Sequence, residues 1–243
     1  MKDSKLNIKN GKQKNSMQGQ TIKTQGSKLK IGVLVSGNGS NLQAIIDRIN
    51  DGMLPATVEV VVSDNANAYA LERAQHNDIP VHILEYRAYA RREQAEDALI
   101  GTLNGYGVEL VVLAGYMKLM TPRFINAFPL RIMNIHPALL PSFPGIHVIQ
   151  KAIDYGVKFT GCTVHFIDEG TDTGPIIIQA VVPVMDDDTE ETLAHRIHEQ
   201  EHIIYPLAIQ YFAEHRLSVH GRRVLIQGRT DQNREPLVNP QEQ

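Results

Sequence analysis

The sequence predicts an α/β protein with a doubly wound, mostly parallel β-sheet and helices on both of its faces. Short apolar runs rich in valine, isoleucine and leucine alternate with segments of helical spacing, a pattern typical of parallel strands joined by helices. A glycine-rich turn at residues 36–41 separates the first strand from the first helix. The last two strands are joined by a short turn, so antiparallel strands are expected in the C-terminal part.

The predicted elements follow one another along a single domain at residues 29–227. Each strand is a short run of β-branched and other apolar residues. The predicted strands are 30–35, 57–63, 81–84, 109–114, 130–135, 160–167, 176–184, 217–220 and 223–226. The predicted helices are 42–46, 68–77, 91–103, 147–155 and 191–212. Sheets of this kind bind ligands at the carboxyl ends of their strands, near the point where the strand order reverses.

The composition is that of an ordinary globular protein. Of the 243 residues, 42% are hydrophobic and 21% are charged, and no apolar run approaches the roughly 18 residues of a membrane span. The one cysteine, Cys162, excludes an intrachain disulfide framework and fits a reducing, cytoplasmic compartment. Because Cys162 lies in an apolar strand, an inert buried thiol is expected.

Charge is distributed unevenly along the chain. Residues 1–30 contain eight lysines and one aspartate, a net charge of +7, whereas the rest of the chain carries −10. We interpret residues 1–28 as a disordered basic tail and residues 228–243 as a loose polar tail. A nucleic-acid-binding arm is the alternative for the basic tail, but no nucleic-acid partner is expected.

The glycine-rich turn allows several interpretations. Open backbone N–H groups at a helix start favour a phosphate, and Gly39, Ser40 and Asn41 are the candidates for holding it. A dinucleotide-binding fingerprint would need a third glycine where Leu42 stands, although Asp64 lies where a ribose-binding acid would. A Walker A loop is excluded, because no Gly-Lys-Ser/Thr is present. A single phosphate monoester fits best, and a turn without a ligand is the alternative.

Residues 134–141, Asn-Ile-His-Pro-Ala-Leu-Leu-Pro, carry the strongest candidates for catalysis. Asn134 and His136 are two residues apart at a strand end, so their side chains project to the same side. A fixed amide donor beside an imidazole can polarise a carbonyl and move a proton. An acidic, glycine-rich loop at 168–175 could supply a carboxylate to His136. The alternatives are a surface turn with an incidental histidine, and an acidic turn between strands.

Residues 198–202 match His-Glu-x-x-His, the helical signature of zinc proteases. Two histidines four residues apart share one helix face and suit a metal. A third ligand is required, and the usual extension of the motif is absent. Glu214 and His220 are only loose candidates, so we expect no metal.

Three motifs together resemble the folate-dependent phosphoribosylglycinamide formyltransferase family. They are residues 36–43 (Ser-Gly-Asn-Gly-Ser-Asn-Leu-Gln), residues 134–141, and residues 163–166 (Thr-Val-His-Phe) with 172–175 (Asp-Thr-Gly-Pro). The resemblance runs from about residue 30 to residue 217. It implies a Rossmann-like fold and an enzyme of purine biosynthesis. The implied reaction transfers a formyl group from 10-formyltetrahydrofolate, as cosubstrate, to the amine of glycinamide ribonucleotide.

The resemblance also implies roles for individual residues and for the two halves of the domain. The catalytic trio matches Asn134, His136 and Asp172. The loop that holds the substrate phosphate matches Gly39, Ser40 and Asn41. A contact to the ribose hydroxyls matches Glu201, and a residue lining the active site matches His165. The folate-binding positions match Arg92, Met117, Lys118, Met120 and Asn134. Phosphate binding is thus expected in the half at about 29–130, and folate binding with catalysis in the half at about 131–227.

Relatives of this family provide the alternative functions. Formyltetrahydrofolate deformylase, methionyl-tRNA formyltransferase and sugar-nucleotide formyltransferases share the Asn, His and Asp trio. The deformylase usually has an N-terminal regulatory domain, which a short polar tail is not expected to form, and the tRNA enzyme has a further C-terminal domain. A non-catalytic nucleotide-binding module is another alternative. The expected partners are small-molecule substrates and no membrane, and the expected state is a monomer or a homodimer.

Overall fold

The computed structural model describes residues 28–228 together with Leu237 and Asn239. The two predicted tails, 1–28 and 228–243, therefore lie almost entirely outside the described residues. Within the second of them, Asn239 donates hydrogen bonds from Nδ2 to the carbonyl oxygens of Lys158 at 2.8 Å and Val184 at 3.0 Å. This residue contacts the domain.

Strands and helices alternate largely as the sequence predicts. The strands are β1 (Leu29–Val35), β2 (Ala56–Ser63), β3 (Val81–Ile83), β4 (Leu110–Leu113), β5 (Ile132–His136), β6 (Phe159–Phe166), β7 (Ile176–Pro183), β8 (Leu217–His220) and β9 (Arg223–Ile226). The helices are α1 (Ser40–Asn50), α2 (Tyr69–His76), α3 (Arg92–Gly105), α4 (Pro122–Ala127), α5 (Val148–Tyr155) and α6 (Glu190–Ala213), with a 3₁₀ turn at Tyr86–Ala88. Of the helices in the described ranges, none combines the length and the apolar character needed to cross a membrane.

The order of the strands reverses between β1 and β4. The sheet has the order β3-β2-β1-β4-β5-β6-β7-β9-β8, and the strands from β1 to β5 are parallel. The antiparallel pairs are β5–β6, β6–β7 and β8–β9. The predicted mostly parallel sheet with antiparallel C-terminal strands is confirmed. Because successive connections leave β1 and β4 in opposite directions, a crevice is expected at their carboxyl ends.

Side-chain alternation along β1 explains why helices cover both faces of the sheet. Ile31, Val33 and Val35 belong to a core that also includes buried residues of α1, α2 and α6. Leu34 points to the other face and belongs to a core with buried residues of α3 and α4. A strand buried on both faces is nearly apolar throughout, which is why β1 appears in the sequence as a continuous apolar run after the exposed Lys30.

Cys162 lies in the middle of β6 and is fully buried. Burial raises the pKa of its thiol to about 12. The expected burial of Cys162 is confirmed, and a thiol with so high a pKa is a poor nucleophile.

The short helix α4 is the one helix of the described domain that the sequence pattern did not predict. It begins with Thr121 in the N-cap position and Pro122 in the first turn, a common start for a helix. Phe124 is fully buried and anchors it. Six residues are too few to display a helical period clearly, so the only available signal was the Thr-Pro start.

The long helix α6 is held in place by a cap at its start and by a tyrosine further along. The hydroxyl of Thr189 caps it by accepting the backbone N–H of Thr192 at 3.2 Å. Further along, the hydroxyl of the fully buried Tyr205 lies 3.0 Å from the carbonyl oxygen of Leu113 and 2.9 Å from that of Met133. This contact ties α6 to β4 and β5, the two strands that lead into the crevice.

Candidate active site

The crevice at the strand reversal contains the side chains that the sequence singled out. Asn134 and His136 are at the carboxyl end of β5. The glycine-rich turn follows β1, and only β4 separates these two strands in the sheet. The structure thus brings the candidate phosphate turn and the candidate catalytic pair to one edge of the sheet.

Asn134 is held by a short chain of hydrogen bonds that also determines which ring nitrogen of His165 carries the proton. Nδ1 of His165 lies 2.8 Å from the carbonyl oxygen of Phe166, which can only accept, so Nδ1 carries the proton. Nε2 is then an acceptor, and Asn134 Nδ2 donates to it at 3.2 Å. Burial lowers the pKa of His165, which favours this neutral form. The second N–H of the Asn134 amide is therefore oriented and left for a ligand.

His136 is buried, with 4% of its surface exposed, and both of its ring nitrogens face acceptors. Nε2 donates to the carbonyl oxygen of Phe143 at 2.8 Å. Nδ1 lies 3.5 Å from Oδ2 of Asp172. An imidazolium has a proton on each nitrogen, so both of its donors would find an acceptor here. The Phe143 bond fixes the ring plane, and the longer contact to Asp172 makes Nδ1 the nitrogen better placed to bind a reacting group.

Asp172 is positioned by the acidic loop between β6 and β7. Its Oδ2 accepts the backbone N–H of Gly145 at 2.8 Å, and its Oδ1 lies 3.8 Å from Nε2 of His165. Asp172 has a φ of 54°, a left-handed conformation that costs free energy for residues other than glycine and is often found at functional positions. The structure brings Asn134, His136 and Asp172 together, with His165 beside them.

The glycine-rich turn packs tightly against the first turn of α2. Gly39 has φ 75° and ψ 30°, and a β-carbon there would lie 2.5 Å from Cβ of Ala70. Both the left-handed backbone and the close approach require glycine. No side chain in the described part of the protein caps α1. The backbone N–H groups around Ser40 and Asn41 are therefore available to an anion.

Glu201 contacts the glycine-rich turn. It lies on α6 with 4% of its surface exposed, and its Oε2 accepts the side-chain N–H of Asn41 at 2.9 Å. Burial raises the pKa of the Glu201 carboxyl to about 7, against the lowering effects of the Asn41 hydrogen bond and the charge on His136. Asn41 and Glu201 thus tie α6 to the glycine-rich turn, at the edge of the sheet that also holds His136.

Two of the predicted folate-binding residues flank the same tyrosine. Lys118, which follows β4, lies 3.6 Å from Oδ2 of Asp64, and its Nζ lies 5.8 Å from the ring centre of Tyr86. Arg92, at the start of α3, forms an ion pair of 3.4 Å with the buried Glu96. Burial raises the pKa of Tyr86, and the charge of Arg92 opposes that rise. Lys118 and Tyr86 therefore lie together beside the segment that follows β4, and Arg92 lies within electrostatic range of the same tyrosine.

The segment after β4 also provides apolar surface. Met117 is 68% exposed, and its backbone N–H donates to Oγ of Ser36 at 3.0 Å. Met120 packs partly buried against the core under α3. The bond to Ser36 ties this segment to the phosphate turn, and an exposed methionine offers an adaptable surface to a flat ring.

The His-Glu-x-x-His stretch of α6 does not gather metal ligands within the described residues, where no cluster of three or more His, Cys, Asp or Glu side chains could hold a metal ion. Glu201 faces Asn41, whereas His202 lines an open cleft together with Ser40 and Arg73. Partial burial lowers the pKa of both His198 and His202.

Several contacts of the site were not visible in the sequence pattern. Phe143 and Gly145 act through backbone groups, and the run Pro-Ser-Phe-Pro-Gly at 141–145 was the available signal for a fixed turn there. Arg73 on α2 hydrogen-bonds the phosphate turn. No sequence motif points to Arg73, because the contact depends on how two helices pack.

Comparison with known proteins agrees with this geometry. Residues 29–209 match the formyl transferase family. The phosphoribosylglycinamide formyltransferase of Escherichia coli is 42% identical over 200 residues, which cover 82% of this chain and 94% of the relative. The crystal structure of glycinamide ribonucleotide transformylase 1 from Symbiobacterium toebii is 51% identical with a TM-score of 0.82, over 86% of this chain and 98% of that one.

A formyltetrahydrofolate deformylase from Pseudomonas syringae shares the fold at a greater distance. It is 25% identical with a TM-score of 0.76, and the match covers 82% of this chain and 66% of that chain.

A mostly parallel sheet whose strand reversal collects an oriented amide, a buried imidazole and a carboxylate has the chemistry of a group-transfer enzyme. The chain belongs to the formyl transferase family. It is a formyltransferase, and the family uses a formyl donor derived from folate.

Proposed function

We propose that this enzyme transfers the formyl group of 10-formyltetrahydrofolate to the amine of glycinamide ribonucleotide, in purine biosynthesis. The observation that carries the proposal is that Asn41 of the glycine-rich turn donates to the buried Glu201 at 2.9 Å, at the same edge of the sheet as Asn134 and His136. The substrate has a phosphate for the turn, a ribose for Glu201 and an amine for the catalytic pair. The names of the relatives with the greatest coverage support this substrate.

The phosphate and the ribose bind at the turn and at Glu201. The backbone N–H groups around Gly39, Ser40 and Asn41 hold the phosphate at the start of α1. Glu201 accepts hydrogen bonds from the ribose hydroxyls. Oδ1 of Asn41 is buried and has no partner among the described residues, so it offers the ribose a second acceptor.

The catalytic step is attack of the substrate amine on the formyl carbon, which places negative charge on the formyl oxygen. The free N–H of Asn134 and the imidazolium of His136 stabilise that charge, and removing one such donor typically costs about 10²- to 10³-fold in rate. The intermediate then collapses, breaking the bond between the formyl carbon and N10 and releasing tetrahydrofolate. Asp172 orients His136 and helps to move the proton that the amine loses to the departing N10, and such help is worth about 10²- to 10⁴-fold. This route uses neither a metal nor a covalent enzyme intermediate.

The folate donor binds on the other side of the catalytic pair. Arg92 supplies positive charge near the folate, while Lys118 lies in the pterin-side segment with Met117 and Met120, which supply apolar surface for the ring. His165 does not react. It accepts from Asn134 at 3.2 Å and so keeps the amide in the orientation that the formyl oxygen requires.

We further infer that the phosphate-binding half, at about 29–130, and the folate and catalytic half, at about 131–227, act as one domain. The enzyme works in the cytoplasm on small molecules, without nucleic acid, as a monomer or a homodimer. A fully buried cysteine, which suits a reducing compartment, supports the location.

A substrate panel tests the proposal. Formyl transfer from 10-formyltetrahydrofolate is measured with glycinamide ribonucleotide, water, methionyl-tRNA and an amino sugar nucleotide as alternative acceptors. We expect kcat/KM to be highest by far with glycinamide ribonucleotide. A higher value with any other acceptor would assign the enzyme to that relative instead, and folate binding without turnover of any acceptor would indicate a binding module.

A further inference from the structure

Arg73 reaches from α2 to the phosphate turn and hydrogen-bonds it on both sides of Gly39. Its Nε donates to the carbonyl oxygen of Asn38 at 2.9 Å, and one terminal nitrogen donates to Oδ1 of the same residue at 3.1 Å. The other terminal nitrogen donates to Oε1 of Gln43 in α1 at 3.3 Å. One guanidinium thus joins the residue before Gly39 to the first turn of the helix after it.

Neighbouring contacts keep Arg73 and α2 in place against the turn. The guanidinium carbon lies 4.7 Å from the centre of the Tyr69 ring, four residues earlier on the same helix. The backbone N–H of Ala70 donates to the carbonyl oxygen of Gly37 at 3.1 Å. The first turns of α2 therefore support the phosphate turn through a side chain, a backbone bond and the close packing of Ala70.

We propose that Arg73 is a positioning residue for the substrate phosphate. It acts through the turn, by holding Asn38 and Gln43 so that the N–H groups between them converge on one anion. Its charge beside the turn also favours a dianionic group. The inference rests on the proposed substrate and adds to it a residue from a second helix, outside the glycine-rich motif.

The planar fork of arginine, and not charge alone, is required for this role. Three N–H groups of one side chain point to three different acceptors, all within 3.3 Å. A lysine at this position keeps the charge, but its single ammonium cannot reach acceptors on both sides of Gly39 at the same time. Arg73→Lys therefore distinguishes the effect of the hydrogen bonds from the effect of the positive charge.

Steady-state kinetics of the full chain test the proposal. Loss of the hydrogen bonds that support the turn should raise the KM for glycinamide ribonucleotide about tenfold in Arg73→Gln. The kcat and the KM for 10-formyltetrahydrofolate should stay close to the wild-type values. The inhibition constant of inorganic phosphate, measured in competition with glycinamide ribonucleotide, should rise by a similar factor. Arg73→Lys should recover only part of the loss.

Arg48→Gln is the matched control. Arg48 lines the same open cleft as Arg73, but it donates to Sδ of Met53 at 2.7 Å and not to the turn. Its loss should leave the KM for glycinamide ribonucleotide unchanged. An equal rise in this variant, or full rescue by Arg73→Lys, would reduce the effect to general electrostatics and overturn the positioning role.

Three other results would also overturn the inference. The first is an unchanged KM for glycinamide ribonucleotide in Arg73→Gln. The second is an equal rise in the KM values for both substrates, and the third is a lower melting temperature with both KM values unchanged. Failure of the proposed function is a separate result, because the wild-type enzyme itself would then not formylate glycinamide ribonucleotide. In that case the affinity of inorganic phosphate for wild type and Arg73→Gln, measured by calorimetry, still decides the role of Arg73.

Discussion

At the scale of single residues, two buried histidines in one site differ only in their partners. His165 donates from Nδ1 to a carbonyl oxygen and accepts from an amide at Nε2, which suits a neutral ring. His136 faces a carbonyl oxygen at one nitrogen and a carboxylate at the other. The same side chain therefore orients an amide in one position and, in the proposed mechanism, moves a proton in the other.

Asp172→Asn tests the carboxylate of this arrangement. Asparagine also tolerates the left-handed backbone, so the loop should keep its conformation. We expect kcat to fall by about 10²- to 10⁴-fold, with little change in the KM for glycinamide ribonucleotide, because a lost transition-state interaction appears mainly in kcat. Glu169→Gln is the control, since Glu169 is an exposed carboxylate in the same loop, and this variant should leave kcat and KM unchanged. A raised KM with normal kcat would assign Asp172 to substrate binding.

Glu201→Gln tests the burial of the carboxyl that contacts the glycine-rich turn. Burial raises the pKa of Glu201 from its ordinary value of 4.5 to about 7. Between these values the folded chain holds a proton that the unfolded chain has lost, so this residue lowers stability as pH rises through that window. Glutamine does not ionise. The free energy of unfolding of Glu201→Gln, relative to that of wild type, should therefore rise by about 3 kcal/mol between pH 4.5 and pH 8.

Chemical denaturation at several pH values measures this difference. Glu199→Gln is the matched control, since the Glu199 side chain is 59% exposed on the same helix, and its difference from wild type should stay constant with pH. A pH-independent difference for Glu201→Gln would show that the Glu201 carboxyl is ionised normally in the folded protein.

At the scale of elements, the site depends on how turns and loops are held by their neighbours. The pairing of Asn134 with His136 was predictable from the two-residue period of a strand, and the phosphate turn from its glycines and the helix that follows. The contact between Asp172 and His136 was expected only from a family resemblance, because it depends on the conformation of the 168–175 loop. Arg73 was not predictable, since nothing in a single sequence says which face of α2 meets α1.

Gly39→Ala tests the close approach of the turn to α2. The added carbon would lie 2.5 Å from Cβ of Ala70, on a backbone with φ 75°, so the turn has to move. We expect the KM for glycinamide ribonucleotide to rise tenfold or more, on the order of the loss of one to two hydrogen bonds, with folate affinity nearly normal. At Gly37 an added carbon meets nothing within 4 Å, so Gly37→Ala is the control. Equal loss of both substrate affinities would contradict a local role.

At the scale of the whole molecule, the strand reversal brings together segments that are far apart in sequence. The turn after β1, the end of β5, the loop before β7 and the middle of α6 all reach one crevice. Alternation of apolar runs and helical segments was enough to predict this sheet, because buried parallel strands are nearly continuous apolar runs. Element ends shifted by only a few residues, and the omitted helix α4 was too short to show a period.

Removal of residues 1–27 tests the expectation that the site is complete without the basic segment. These residues carry most of the N-terminal lysines and almost no apolar pattern, so they are not expected to contribute to a core. The melting temperature and kcat of the shortened chain should match those of the full chain. A large drop in either would show that this segment docks on the domain.

The stoichiometry of donor use tests the central claim most directly. The release of tetrahydrofolate and the formation of formylglycinamide ribonucleotide are measured in the same reaction. The proposed mechanism predicts equal amounts of the two products, and almost no consumption of 10-formyltetrahydrofolate when glycinamide ribonucleotide is left out. Formate release at the same rate with and without glycinamide ribonucleotide would contradict the claim and show that the trio activates water instead of the substrate amine.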